Sequence, residues 1–166
     1  MAITTKAKSN FSFRKLANAL DDVLEDYFDD SYEELAQSAR ENLENSTGIA
    51  PLKESSKYVR RKGISPKGYG LPTTSTKPLV WTGNLLRSIK SSKKGVQAVG
   101  YLKYHMEGYT VSNKGLGKKM NFGGKKVPSR NPFFTPKGNF KQNFKKGEKK
   151  RAERLISKIN KVWRVK

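Results

Sequence analysis

The sequence predicts an α+β fold: a small antiparallel sheet flanked by a long N-terminal helix and a C-terminal helix, with extended basic loops. Three observations predict it. Apolar residues recur at helical spacing from Ser12 to about Thr47, with no Pro or Gly among them. Two short apolar runs flank the turn Ser92-Lys93-Lys94-Gly95. Helical spacing then returns from Asn139 to Trp163. At 166 residues the chain, 1–166, suits a single domain with a real core. Its hydrophobic content of 34% keeps that core small relative to the surface.

In the first helix, 12–47, Leu16, Leu20, Val23, Leu24, Tyr27, Phe28, Leu35, Ala39 and Leu43 form one apolar stripe. Gly48 suits its C-terminal stop. Ser31 with Glu34 three residues on has the form of a capping box, the one place for an interruption. Unbroken, about 35 residues at 1.5 Å each give roughly 50 Å. That exceeds what so small a core needs. Most of the stripe is expected against the chain's own sheet, with an overhang able to meet a neighbouring subunit.

Residues 49–78 hold four Pro and three Gly among Lys57, Arg60, Arg61, Lys62 and Lys67. They read as an extended arm that orders on assembly. The sheet core is expected over 79–134. It opens at Thr82-Gly83, where Gly reaches backbone angles that strain other residues and Thr caps the next element. Leu85, Leu86 and Ile89 suggest a short helical turn running into a strand. Leu85 to Ser91 and Val96 to Tyr101 then form a hairpin, with Val96, Ala98 and Gly100 on one side. Tyr104 to Gly108 is a short turn of helix. The segment 109–126 is a glycine-rich basic loop carrying Lys114, Lys118, Lys119, Lys125 and Lys126. Val127 returns as a strand that Pro128 ends, and Phe133 and Phe134 anchor the chain to the core. In the last helix, 139–163, Phe140, Phe144, Ala152, Leu155, Ile156, Ile159 and Trp163 mark the buried stripe, and Gly147 is where it would break.

The net charge of +21 is unevenly spread. Residues 1–50 carry five basic and ten acidic side chains, a balance of −5, and residues 51–166 carry thirty and four, a balance of +26. Such polarity favours nucleic acid, an acidic protein surface, or another copy of the chain as neighbour. A basic surface that only confers solubility is the plainer alternative.

Enzyme chemistry finds little footing, and no cofactor is expected. The absence of cysteine removes disulfides, thiolate metal sites and cysteine nucleophiles together. His105, the one histidine, lacks the further ligands a metal needs and a positioned acid–base partner. Asp22, Glu25, Asp26 and Asp29 align along one solvated helix face. Gly115-Leu116-Gly117 and Gly123-Gly124-Lys125 lack the full phosphate-loop spacing. No run approaches the roughly 18 apolar residues of a membrane span. The polar N-terminus lacks the apolar core of a signal peptide. A soluble protein made in a cytoplasm is expected.

Several short pieces recur in a recognisable order: Gly48-Ile49-Ala50-Pro51-Leu52, then Leu79 to Ile89 with Thr82, Gly83, Leu85, Ser88 and Ile89. Val99-Gly100, Tyr104 to Gly108, and Val127-Pro128-Ser129-Arg130-Asn131-Pro132-Phe133 come after them. This series resembles the virion-morphogenesis, or tail-completion, proteins of tailed phages. Two positions depart from their pattern. Asn131 stands as an extra residue between the Arg and the Pro-Phe pair, and Ile49 lies where relatives often carry Trp. The resemblance implies a structural virion protein at the head–tail junction or upper tail end, assembled in the host cytoplasm. It implies a ring, commonly of six copies, with portal or adaptor and tail tube or terminator proteins as neighbours. The motif residues Thr82, Gly83, Leu85, Ser88, Ile89, Gly108, Pro128, Arg130, Pro132 and Phe133 would then be structural. Arg130 is a candidate for either a carboxylate across an interface or an internal ion pair.

Asp22, Asp26 and Asp29 are candidate inter-subunit residues, with the acidic helix of one copy meeting the basic half of the next. Lys114, Lys118, Lys119, Lys125 and Lys126 are candidates for contact with channel DNA or an acidic neighbour. The rival reading is a sequence-nonspecific nucleic-acid-binding protein, architectural or ribosomal-protein-like. Its basis is Lys and Arg interleaved with Tyr58, Tyr69, Tyr109, Phe122, Phe140 and Phe144. No helix-turn-helix, zinc finger or aromatic RNA-binding signature accompanies them.

Overall fold

The computed structural model describes residues 12–54, 57–58, 77, 79–80, 83–110 and 126–164. It is a mixed helix and sheet structure, with a long N-terminal helix, short antiparallel strand pairs and a bent C-terminal helix. Helix α1 spans Phe13–Asn45. At its start the Ser12 hydroxyl accepts the Lys15 N–H at 3.4 Å. At its end Ser46 adopts φ 54°, and the Thr47 N–H reaches the Asn42 carbonyl at 3.0 Å. That Schellman geometry stops the helix at a serine, two residues before the expected Gly48. The helix is continuous through Ser31, the one place where an interruption could fall. The Ser31 hydroxyl donates back to the Tyr27 carbonyl at 2.7 Å, and Glu34 turns to Arg151 instead of capping.

The stretch expected as an extended arm holds a helical hydrogen bond, Lys57 N–H to the Lys53 carbonyl at 3.1 Å, and otherwise lies largely outside the described residues. Gly83 has φ +71° and caps the short helix α2, Asn84–Ser88. Strand β1, Lys90–Ser92, pairs antiparallel with β2, Gly95–Gln97, placing Lys90 opposite Gln97. The hairpin turns where expected, but each strand is only three residues long. Residues 85–88 are helical, and the chain leaves the sheet after Gln97 to enter α3, Leu102–Glu107. Ala98 and Val99 therefore both pack against the core instead of alternating. Ser88 joins the two sides: its hydroxyl donates to the Leu85 carbonyl at 2.7 Å and accepts the Val99 N–H at 3.2 Å.

Strands β3, Tyr109–Thr110, and β4, Lys126–Val127, pair antiparallel at the base of the segment expected to be a basic loop. Helix α4, Gln142–Lys146, and helix α5, Glu148–Arg164, are separated at Gly147. The buried core consists of Ala36, Ala39, Leu43, Ile49, Leu85, Ile89 and Leu102, with Pro132 fully enclosed beside them. Only the C-terminal half of α1 takes part. Further toward its start, Leu24 and Phe28 are 42% and 49% exposed.

The orientation of α5 corrects the expected stripe. Arg151 is buried and Leu155, Lys158 and Ile159 are half-buried, whereas Ala152 is exposed and Ile156 and Trp163 are each 57% exposed. The reason is electrostatic. The face of α1 that α5 meets carries Asp26 and Glu34, which draw Lys158 and Arg151 inward.

Gly108 shows how tightly the motif segment is built. Its φ is +78°, and a Cβ there would lie 2.9 Å from the Val127 carbonyl oxygen and 3.0 Å from the Ser129 nitrogen. With ψ 160° the backbone is in a region almost confined to glycine, and Gly108→Ala is expected to destabilise by about 1–3 kcal/mol in urea titration. Gly100→Ala, with open space around its Cβ, should change the urea midpoint little.

Candidate functional site

Local sequence places the motif residues, and long-range polar bonds hold them together. Arg130 is buried and follows β4. Its Nε donates to the Ala50 carbonyl at 2.9 Å and an Nη to the Pro51 carbonyl at 3.2 Å. Its backbone N–H reaches the His105 carbonyl at 2.6 Å. The guanidinium thus fixes the start of the 49–54 segment through main-chain acceptors. Asn131, the extra residue of the motif, accepts the Phe133 and Phe134 N–H groups at 2.9 and 3.1 Å, an Asx turn that aims Pro132 and Phe133 inward. Leu85 and Ile89 are core residues, and Pro128 is exposed just after β4. Thr82 lies outside the described residues.

Three side chains not singled out from sequence complete this seam. Buried Asn42 donates to the Pro132 carbonyl at 2.8 Å, and Asn143 donates to the Ser38 carbonyl at 3.1 Å. Lys141 is 5% exposed, and its ammonium donates to the Thr47 and Gly48 carbonyls at 2.8 and 3.3 Å. Burial lowers its pKa from the usual 10.5. A cleft of about 300 Å³ opens here, lined by Asn42, Asn45, Thr135, Gln142 and Asn143. Lys141 being committed to α1's end, the cleft offers amide and hydroxyl groups and the Glu41 carboxylate. Among the described residues no group of His, Asp and Glu side chains is placed to hold a metal ion, and no helix is long and apolar enough to cross a membrane.

The acidic candidates lie on the N-terminal half of α1, facing basic side chains of the same chain. Asp26 accepts the Lys158 ammonium at 2.9 Å, and Glu25 the Lys93 ammonium at 2.7 Å. The Glu25 hydrogen bond raises the Lys93 pKa, and the nearby charges of Glu25 and Asp29 add to this. Asp22 is exposed and Asp29 half-buried. Glu34 holds both Arg151 and Arg154. The intrachain pairs at Asp26 and around Asp29 leave Asp22 the most open of the three candidates.

Of the basic candidates, Lys114, Lys118, Lys119 and Lys125 lie outside the described residues, and only the backbone of Lys126 is described, in β4. Described basic side chains that face solvent include Lys145, Lys146, Lys149, Lys150 and Lys161 on α4 and α5. Two aromatic residues considered for base stacking turn inward. Phe134, Phe140 and Phe144 form a row with ring centroids 4.6 and 4.9 Å apart, and the Arg151 guanidinium lies 4.0 Å over Phe144. Tyr58 is exposed, the Tyr109 side chain is outside the described set, and so are Tyr69 and Phe122.

Two outcomes test this geometry. Arg130→Lys cannot answer two carbonyls with a planar fork, and is expected to lower unfolding free energy by about 1–3 kcal/mol in urea titration. His105 is half-buried, and desolvation, then the charge of Arg130, lowers its pKa from 6.5. The unfolded chain therefore binds this proton more tightly. Stability is full above about pH 6.5 and falls as the pH drops through the window beneath it. The urea midpoint should be lower at about pH 5.5 than at about pH 7.5, and His105→Gln should flatten that difference.

Compared with protein-family models, curated proteins and solved structures, the chain matches none.

Proposed function

We propose that this chain is a structural protein of a tailed-phage particle, a ring component at the head–tail junction or upper tail end that completes the tail and joins it to the head. One observation carries the reading: the imbalance between inside and outside. Among the described residues seven hydrophobic side chains are buried, while Leu24, Phe28, Tyr104, Ile156 and Trp163 are each at least 42% exposed. Large apolar side chains left outside a small core mark a protein completed by partners. The ordered motifs from Gly48 to Phe133 give the kind of partner.

On this reading the chain works by assembly and turns over no substrate. Repeated heterologous contacts close a ring, commonly of six copies. Portal or adaptor proteins lie on one side and tail tube or terminator proteins on the other, and packaged DNA in the channel is touched without sequence reading. The site of action is the neck or tail of the virion, reached by assembly in the host cytoplasm.

A second reading, a sequence-nonspecific nucleic-acid-binding protein, is favoured by the exposed Lys145, Lys146, Lys149, Lys150 and Lys161. The two separate by mass measurement across a salt series, with and without duplex DNA. The assembly reading expects a discrete ring of the protein alone, little changed by DNA. A monomer that binds DNA tightly with a steep salt slope would replace it with the second reading.

A further inference from the structure

Part of the positive charge of α5 is left over once the acids of the fold have taken their partners. Arg151 and Lys158 turn to Glu34 and Asp26 of α1, and Arg154 on the flank beside them reaches Glu34 at 3.5 Å. Lys149 has Glu153 at 3.9 Å. Lys150, Lys161 and Arg164 are exposed, and among the described residues none of them has an ion-pair partner. At about 100° per residue, these side chains and exposed Ser157 fall within about 60° of one another. They form a stripe of roughly 20 Å at 1.5 Å per residue. It lies about a third of a turn from the line of contact with α1, on the flank opposite Ile156 and Trp163.

What the stripe lacks decides its occupant. A protein neighbour builds its contact around an apolar centre with a polar rim. No apolar side chain of α5 stands on this face between Lys150 and Arg164, and the position midway is Ser157. Unpaired bases need aromatic rings to stack on, and Trp163 belongs to the other flank. A duplex backbone needs neither. It carries about one negative charge per 1.7 Å of axis, and Lys, Arg and Ser side chains are among the groups that bind its phosphate oxygens. Exposed Asp22 and Glu33 of α1 lie on the same side of the molecule. Packed helix axes stand about 8–10 Å apart and the stripe leans outward from α1. Those acids are therefore more than about one Debye length, roughly 8 Å at physiological salt, from what the stripe binds.

Resting on the contact with packaged DNA in the reading above, we infer that this stripe is a track for the phosphodiester backbone of duplex DNA. Lys150, Lys161 and Arg164 each neutralise a phosphate, and the Ser157 hydroxyl donates to one between them. Three cations per copy hold the backbone without reading sequence, and too weakly to drive assembly.

Full-length parent chain and variants are titrated with a fluorescent mixed-sequence duplex across a salt series. The stripe variant combines Lys150→Gln, Lys161→Gln and Arg164→Gln. A control of equal charge combines Lys94→Gln, Lys103→Gln and Lys137→Gln, exposed positions on other elements. Lys150→Arg with Lys161→Arg keeps the charge. The log–log salt slope of the stripe variant is expected to be shallower than the parent's by about 3 per bound copy, at about 0.9 per lost contact. The control should change it by less than about 1, and the arginine variant should keep it. Equal losses in the stripe and control variants would overturn the track, as would tighter binding of a single strand than of duplex. Displacement of duplex by polyglutamate at equal charge would assign the stripe to an acidic protein instead. A stripe variant with the parent's slope removes this surface and leaves the DNA contact of the assembly reading in place. A parent chain that binds no duplex at low salt removes that contact too, while the ring is judged separately from the mass of the protein alone.

Discussion

Side-chain donors answering the backbone carbonyls of remote segments hold this protein together. Asn42, Arg130 and Lys141 reach Pro132, Ala50 with Pro51, and Thr47 with Gly48. Each buried donor would cost about 1–3 kcal/mol if left without its acceptor, and each carbonyl would lose its partner too. With an apolar core as small as this, such bonds decide which segments meet. They clamp the C-terminal half of α1 between the 49–54 segment and the turn at 131–143. The hairpin and α5 then pack against α1 as their common support.

A helix clamped at one end projects at the other. The N-terminal half of α1 is steadied by Lys93 from the hairpin and by Lys158 and the Arg151–Glu34 contact from α5. Exposed pairs such as Lys93–Glu25 are screened by solvent and add little stability, so their value lies in fixing rotation and register. Arg151 differs, being 5% exposed and bracketed by Glu34, the Phe144 carbonyl and the Phe144 ring. The acidic first fifty residues are thus folded back onto the basic remainder. The resulting neutralisation is intramolecular, on the hairpin side of α1 at Glu25 and on its α5 side at Asp26 and Glu34.

Much of this was legible in residue order. The helix from Ser12, the turn at Lys93-Lys94, the cap at Gly83 and the break at Gly147 all arise from local spacing and backbone freedom, which do not depend on distant partners. The illegible part depends on such partners. Ser31 and Glu34 match a capping box, but Arg151, 117 residues away, took Glu34. The C-terminal stripe from Phe140 to Trp163 has the right period, and Phe140, Phe144, Leu155 and Ile159 are half-buried, yet Arg151 and Lys158 turn to Glu34 and Asp26 and leave Ala152, Ile156 and Trp163 outward. Asn42 and Lys141 look like surface polar residues until Pro132 and Gly48 are brought beside them. Arg130 was singled out, but its acceptors proved to be carbonyls, which no sequence pattern marks.

Helix α5 consequently has three distinct sides. One, with Arg151 and Lys158, is turned to the acids of α1. A second, with Ala152, Ile156 and Trp163, is apolar and open. The third carries Lys150 and Lys161, eleven residues apart and therefore on one helical face, while Arg154 between them reaches Glu34 of α1. The basic face and the apolar side are therefore separate surfaces, so attraction of an acidic neighbour, protein or nucleic acid, does not need the apolar side. Contacts with phosphates weaken steeply as counterions are restored, whereas a contact made by Ile156 and Trp163 depends mainly on apolar burial and persists.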